Sequence, residues 1–202
     1  MNAFALFRSL NRDQRNTFLA SFLGWTLDAF DFFLVSFVSL RIASEFKVGL
    51  PAVVLTTSLT LAMRPLGALI FGILADRFGR RTPLMVDIVL YSVLELFTAF
   101  SPNYAIFLVL RVLFGVAMGG EWGIGSALTM ETIPARARGL VSGLLQVGYP
   151  SGFLLASVAV YLFYDRLGWR YMFVLGAVPA MLVYFIRRGV DESPAWKELR
   201  VV

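Results

Sequence analysis

The 202-residue chain contains no histidine and no cysteine. Those absences exclude a Ser-His-Asp triad, a zinc site of the usual ligands, a haem attachment and a disulfide framework. Charge is scarce as well: acidic and basic residues make up 15% of the chain, against roughly 25% in an average soluble protein. No G-x-x-x-x-G-K-[ST] loop occurs, so no ATP site of the P-loop kind is expected. What is abundant is apolar, with 58% of residues hydrophobic. A single soluble core could not hide that much, so lipid is the expected solvent.

Six apolar stretches come close to the ~20 residues a helix needs to cross ~30 Å of hydrocarbon. They run at about Thr17–Leu40, Val53–Ala75, Pro83–Phe100, Tyr104–Met130, Leu140–Phe163 and Trp169–Ile186. The first is too long and too acidic for a cleaved signal peptide. The expected organisation is a terminal segment (1–16), a six-span bundle (17–188) and the start of a loop (189–202). The fold class that follows is an all-α integral membrane protein.

The net charge of +5 looks like a nucleic-acid signal until the cations are placed. Arg8, Arg12, Arg15, Arg77, Arg80, Arg81, Arg136, Arg138, Arg187, Arg188, Lys197 and Arg200 all fall on one side of the six spans. Only Arg41, Lys47, Arg166 and Arg170 fall on the other. By the positive-inside rule the first side is cytoplasmic, with both termini there. The basic excess is therefore topological, and no nucleic-acid partner is expected. The bilayer is the partner.

A charge near the bilayer centre costs at least about 2.5 kcal/mol, so each one needs a reason. In span one, Ser21, Gly24, Asp28 and Asp31 form a single polar stripe at 100° per residue. Arg111 in span four shares a face with Gly115, Met118, Trp122 and Gly125, and Arg64 in span two precedes Pro65. The 1.5 Å rise places Asp28 and Asp31 roughly 17–21 Å, Arg111 roughly 12 Å and Arg64 roughly 17 Å from their span ends. All four converge near the middle. They are expected to neutralise one another around a watery cavity; the competing reading is a purely structural ion-pair cluster. Asp87 and Glu121 lie near inner ends, where they are expected to reach headgroup water, and Glu95 is deeper and has no assigned role. Gly115, Gly119 and Gly123 have the four-residue spacing of close helix contact. Tyr104, Tyr161, Tyr164 and Trp169 are expected in an interfacial belt.

The junction between spans two and three reads Gly72-Ile-Leu-Ala-Asp76-Arg77-Phe-Gly79-Arg80-Arg81. It resembles the cytoplasmic loop of the major facilitator superfamily of secondary transporters. Arg111 with Gly115, Glu131-Thr-Ile-Pro134 with Arg138-Gly139, and Glu192-Ser193-Pro194 resemble three further motifs of that superfamily, in its order. The resemblance implies one six-helix half of its fold, built as a 3+3 inverted repeat, here the N-terminal half. A missing C-terminal half or a second subunit is then an expected partner, and the chain is expected to be a fragment. Gly24-Trp25 with Asp28 and Asp31, and Gly119-Gly120-Glu121-Trp122-Gly123, look most like the proton symporters for lactate, related monocarboxylates and sialic acid. That implies a small organic acid as substrate, in the cell membrane. The broader metabolite:proton and sugar-type symporters share most of these motifs. Span five lacks a clean Gly-Pro-x-x-Gly-Gly stretch, which disfavours drug export.

Roles follow from these readings. Asp28 or Asp31 is expected to carry the proton, and Arg64 or Arg111 to attract the substrate carboxylate. Burial favours a protonated acid and a neighbouring Arg its anion, so the two events couple. Trp122 is a candidate to line the pathway; Gln146 and Tyr149 either hydrogen-bond substrate oxygens or pack helices. Gly72, Asp76, Arg77, Gly79, Arg80 and Arg81, with Glu131 and Arg138, are expected to form a cytoplasmic gating network. The resemblance implies that Asp76 there faces a helix N-terminus of the other half. No metal and no cofactor beyond the coupling proton is expected. An enzyme is disfavoured because no nucleophile–base constellation appears; a six-span channel is disfavoured because the midplane charges cancel.

Overall fold

The computed structural model describes residues 9–178 and 180–199, without the side chains of Arg187 and Leu199. Arg8, Arg200 and the Arg187 side chain, all used for orientation above, lie outside the described residues. Every regular element among those residues is helical. α1 (Arg12–Glu45), α2 (Leu50–Phe78), α3 (Arg81–Ala99) and α4 (Tyr104–Thr132) are each long and apolar enough to cross a membrane. α5 (Ala135–Gln146), α6 (Gly148–Leu175), α7 (Ala180–Gly189) and α8 (Pro194–Leu199) follow.

The helix ends have local causes. Asn11 accepts from Gln14 N at 2.8 Å while the Gln14 side chain accepts from Asn11 N at 3.0 Å, a reciprocal cap that starts α1 well before its apolar run. Asn103 caps α4 through Ile106 N at 2.9 Å. α2 stops at Gly79, whose φ of 93° suits a residue without Cβ. α5 and α6 form one crossing interrupted at Val147: Pro150 has no N–H to offer the Gln146 carbonyl. Gly168, at φ 77°, turns the chain back within α6.

That reversal yields the sixth crossing. Trp169 and Arg170 bond Glu45, Ala99 and Ser101 at one end of the bundle. Asn16 Nδ2 reaches the Gly189 carbonyl at 2.8 Å at the other, hereafter the motif end because it holds the 72–81 loop. Residues 169–189 therefore traverse the bundle, and six crossings stand as expected. The exterior is greasy: Leu69, Ile73, Leu154, Tyr161 and Met181 are all largely exposed. Such a surface fits acyl chains, not water.

The inverted repeat, invisible in the letters, emerges in the packing. The most extensive interfaces are α2 with α4 and α1 with α6. Mapping spans one, two and three onto four, five and six turns the first pair into the second. Both are floored by glycine. A Cβ at Gly115 or Gly119 would collide with the backbone of Thr60 or Arg64, and one at Gly152 with that of Thr26. Thr60 Oγ1 also donates to the Arg111 carbonyl at 3.0 Å, stitching α2 to α4. Gly123 is different, with nothing within 4 Å of an added Cβ. Gly119→Leu is therefore expected to destabilise the bundle by about 1–3 kcal/mol or more, read as a fall in Tm of the purified chain. Gly123→Leu in the same chain is expected to leave Tm nearly unchanged.

Candidate functional site

The polar stripe of α1 turns inward, as its spacing required. Ser21, Asp28 and Asp31 are all buried. Ser21 Oγ donates to the Gly125 carbonyl at 2.9 Å and accepts from Thr129 Oγ1 at 2.9 Å. Gly24 makes room for the Glu121 carboxyl from α4. Asp28 pairs with Arg64 from α2, Nη2 to Oδ2 at 2.9 Å.

That pair is asymmetric. The Asp28 side chain has no exposure, whereas Arg64 is 21% exposed. Arg64 lines a cleft of about 480 Å³ together with Trp25, Leu61, Pro65, Met118, Trp122 and Gln146. Its guanidinium lies 5.6 Å from the Trp25 ring centroid, and Trp25 in turn packs against Trp122 at 6.0 Å and Tyr149 at 5.3 Å. The structure thus brings together Asp28, Arg64, Trp122, Gln146 and, one ring away, Tyr149. An arginine on the wall of a cleft with its counter-ion behind it can exchange that counter-ion for an entering anion.

Arg111 does not join them. It is 1% exposed and donates to Glu95 Oε2 on α3 at 2.6 Å, with the Phe114 ring 4.0 Å from its guanidinium carbon. Arg111 and Trp122 share a helical face, but eleven residues separate them by about 16 Å of rise. At the level of Arg111 that face is covered by α3 and by Phe173 of α6. The expected pairing of Arg111 with an α1 aspartate is therefore corrected: its partner is Glu95, the acid without an assigned role. Asp31 lies against Glu95 and Gly176, and neither of its carboxyl oxygens has a hydrogen-bonding partner among the described residues. Asp87 and Glu121 do not reach headgroup water either. They are 0% and 1% exposed, because α1, α3 and α4 close over them. Trp169, expected in a belt, is 2% exposed and donates to Glu45 at 2.5 Å.

At the motif end, Arg80 Nη1 meets Asp76 Oδ1 at 2.5 Å and Nη2 meets Glu131 Oε1 at 3.3 Å. Partial burial works against the charge, yet these hydrogen bonds hold the Arg80 pKa above its ordinary value. Glu192 Oε1 accepts from Arg80 N at 2.7 Å, and its Oε2 accepts from Arg81 N at 3.1 Å, which seats a carboxylate on the N-terminus of α3. Ser193 Oγ donates to Glu131, and Trp196 Nε1 donates to the Asp76 carbonyl at 2.9 Å. Glu192, Ser193 and Trp196 carry much of the network, although the sequence reading gave them no role; the Glu-Ser-Pro motif was the available signal. Arg138 is corrected out of it: exposed in the first turn of α5, it donates to the Ile133 carbonyl just before that helix at 3.2 Å. Arg77 instead stacks its guanidinium 5.4 Å from the Phe78 ring. Gly72 borders a small cavity beside Asp76 and Arg80, and the Asp76 side chain is 77% exposed.

The chain as a whole is similar to known proteins. A family model described as "Sugar (and other) transporter" matches residues 16–200. A probable 4-methylmuconolactone transporter of Cupriavidus pinatubonensis is 34% identical over 201 residues, covering 98% of this chain and 47% of that protein. The sialic acid transporter NanX of Escherichia coli is 29% identical over 196 residues, covering 97% of this chain and 48% of that one. The chain spans about half the length of the curated relatives it matches. In fold it is similar to the partially occluded, inward-open xylose transporter XylE of Escherichia coli, at TM-score 0.84 and 22% identity over 93% of this chain and 52% of that one. With the motif loop, the six crossings and the repeat-related interfaces in place, the chain belongs to the sugar (and other) transporter family of the major facilitator superfamily, as one six-helix half of that fold.

Proposed function

We propose that this chain is the N-terminal half of a secondary transporter that moves a small organic acid, of monocarboxylate or sialic-acid type, together with a proton. It works in the cell membrane with both termini cytoplasmic and a second six-helix half closing the cleft. The observation that carries this reading is the Asp28–Arg64 pair, acid buried and guanidinium on the cleft.

The chemistry follows from that asymmetry. A substrate carboxylate entering the cleft competes with Asp28 for Arg64. Asp28 then faces burial without a counter-ion, which a proton relieves. Loss of the substrate returns Arg64 to Asp28 and expels the proton. Gln146 and Trp122 line the same cleft, and in this reading they contact the rest of the substrate. A proton entering with a monoanion moves no net charge, so a pH gradient drives uptake. At the motif end the exposed Asp76, braced by Arg80, would meet a helix N-terminus of the second half, a contact that favours one closed state. The sialic acid relative supports an acidic substrate.

The family's own description favours a second reading, an uncharged sugar with Gln146 serving its hydroxyls. Vesicles carrying the chain with a second half separate the two. Under an inward-directed proton gradient, labelled lactate or sialic acid is expected to accumulate and a labelled neutral sugar is not, with accumulation abolished by a protonophore. Acid accumulation that ignores the protonophore refutes proton coupling, and accumulation of the sugar alone selects the second reading.

A further inference from the structure

Arg64 opens onto a cleft of about 480 Å³ whose walls are poor in hydrogen-bonding groups. Among the described residues that line it, only Arg64 and Gln146 carry polar side chains, apart from the indole N–H groups of Trp25 and Trp122. Leu61, Pro65 and Met118 add apolar surface. A ligand takes its orientation from a few placed polar groups and its buried area from such walls. A polyhydroxylated acid entering here presses hydroxyls against carbon that can neither donate nor accept, and each unmade hydrogen bond counts against it. An acid as small as lactate meets the guanidinium and leaves the indoles uncovered.

The indoles stand where a ring anchored on Arg64 meets them. The guanidinium carbon lies 5.6 Å from the Trp25 ring centroid. The Trp122 centroid is 6.0 Å from that of Trp25, with the planes tilted by 48°. At that separation the two rings touch each other, so they form one angled wall and not a slot. Trp25 is fixed from behind. Tyr149 packs against it at 5.3 Å, and a Cβ at Gly148 would come within 2.9 Å of its Cδ1. Phe33 in turn braces Tyr149 at 5.2 Å and 64°. Trp122 is the open member of the pair, 47% exposed. It lies ten residues, about 15 Å of rise, before the end of α4, too deep for an interfacial belt.

We propose that the acid taken by this cleft is an aromatic monocarboxylate, its ring on the Trp25–Trp122 wall, its carboxylate on Arg64 and at most one polar ring substituent on Gln146. A carboxylate conjugated to an aromatic ring is flat, so it can stack on an indole while it offers both oxygens to the guanidinium fork. Trp25 and Trp122 are then the residues that determine specificity, and Arg64 is the anchor. This assignment rests on the Arg64 anchoring proposed above and narrows its substrate class.

Calorimetric titration of the purified chain with a second half, without any gradient, reads the preference directly. Benzoate is expected to bind about tenfold more tightly than cyclohexanecarboxylate, which keeps the carbon count and the charge but has no π face. Lactate and sialic acid are expected to bind more weakly than benzoate by at least as much. Trp122→Leu is expected to bring the ratio of benzoate to cyclohexanecarboxylate affinity to about one, chiefly by weakening benzoate. Arg64→Gln is expected to weaken both ring acids alike. Equal affinity for benzoate and cyclohexanecarboxylate, lactate or sialic acid bound as tightly as benzoate, or a preference unchanged in Trp122→Leu overturns the aromatic assignment and leaves the anchor standing. Binding of none of these acids, or benzoate binding indifferent to Arg64→Gln, overturns the anchor and the assignment with it. The comparison of ligands on the wild-type chain needs no variant to fold.

Discussion

Arg64→Gln is expected to raise the KM for an organic acid about a hundredfold while leaving the bundle folded. A hydrogen bond to a charged group is worth about 1.5–3 kcal/mol, and the upper part of that range is a factor near one hundred. The bundle tolerates the change because Arg64 stands on the cleft wall, from which a proton can reach and neutralise Asp28 once its guanidinium is gone. Arg111→Gln is expected to do the reverse. Its partner Glu95 is 0% exposed, and the pair is sealed beneath Phe114 and Phe173. Breaking a buried pair costs about 3–5 kcal/mol, so the yield of folded protein falls while the KM of what survives stays at the wild-type value. Transport kinetics and detergent-solubilised yield, measured on both variants, check the assignment. A raised KM in Arg111→Gln with normal yield would exchange the roles of the two arginines.

Much of this arrangement was legible along the chain, for a physical reason. Lipid makes each intramembrane charge expensive, so Asp28, Asp31, Arg64 and Arg111 stood out, and helical spacing told which way the α1 stripe turns. Partner choice was hidden, because it depends on which helices touch. Arg111 meets Glu95 only because α3 lies against α4 at that height. A signal was available in Asp87, Tyr91 and Glu95, which recur every four residues on one face of α3, yet Asp87 alone resembled a residue reaching for the membrane surface and Glu95 alone had no evident partner. Trp169 shows the same limit. A tryptophan at a span end suggests a belt, and only the fold reveals Glu45 waiting for its indole N–H. Gly123 had the spacing of a packing glycine and packs against nothing.

Both ends of the bundle are clasped. Arg170 ties α1, α3 and α6 together through Glu45 and the Ala99 and Ser101 carbonyls, while Arg80 and Glu192 tie α2, α3, α4 and the segment before α8. Glycine-floored interfaces lock the helices between them. A half so fastened is suited to move as one body, which is what the proposed alternating access against a second half requires.

Asp28→Asn is expected to abolish accumulation altogether while substrate exchange continues. For symport of a monoanion with one proton, each pH unit across the membrane supplies 1.36 kcal/mol and supports about a tenfold concentration ratio. Asparagine has the shape of a protonated aspartate and no proton to surrender, so the substrate remains bindable through Arg64 but its passage no longer consumes the gradient. The ratio falls to about one, whereas counterflow of labelled against unlabelled acid persists and loses its dependence on pH. Asp31→Asn supplies the contrast. Asp31 has no guanidinium to lose when substrate arrives, so its variant is expected to accumulate close to the wild-type ratio. Should Asp31→Asn be the variant that uncouples while Asp28→Asn accumulates normally, the proton site lies beside Glu95 and the cleft pair is only a substrate anchor.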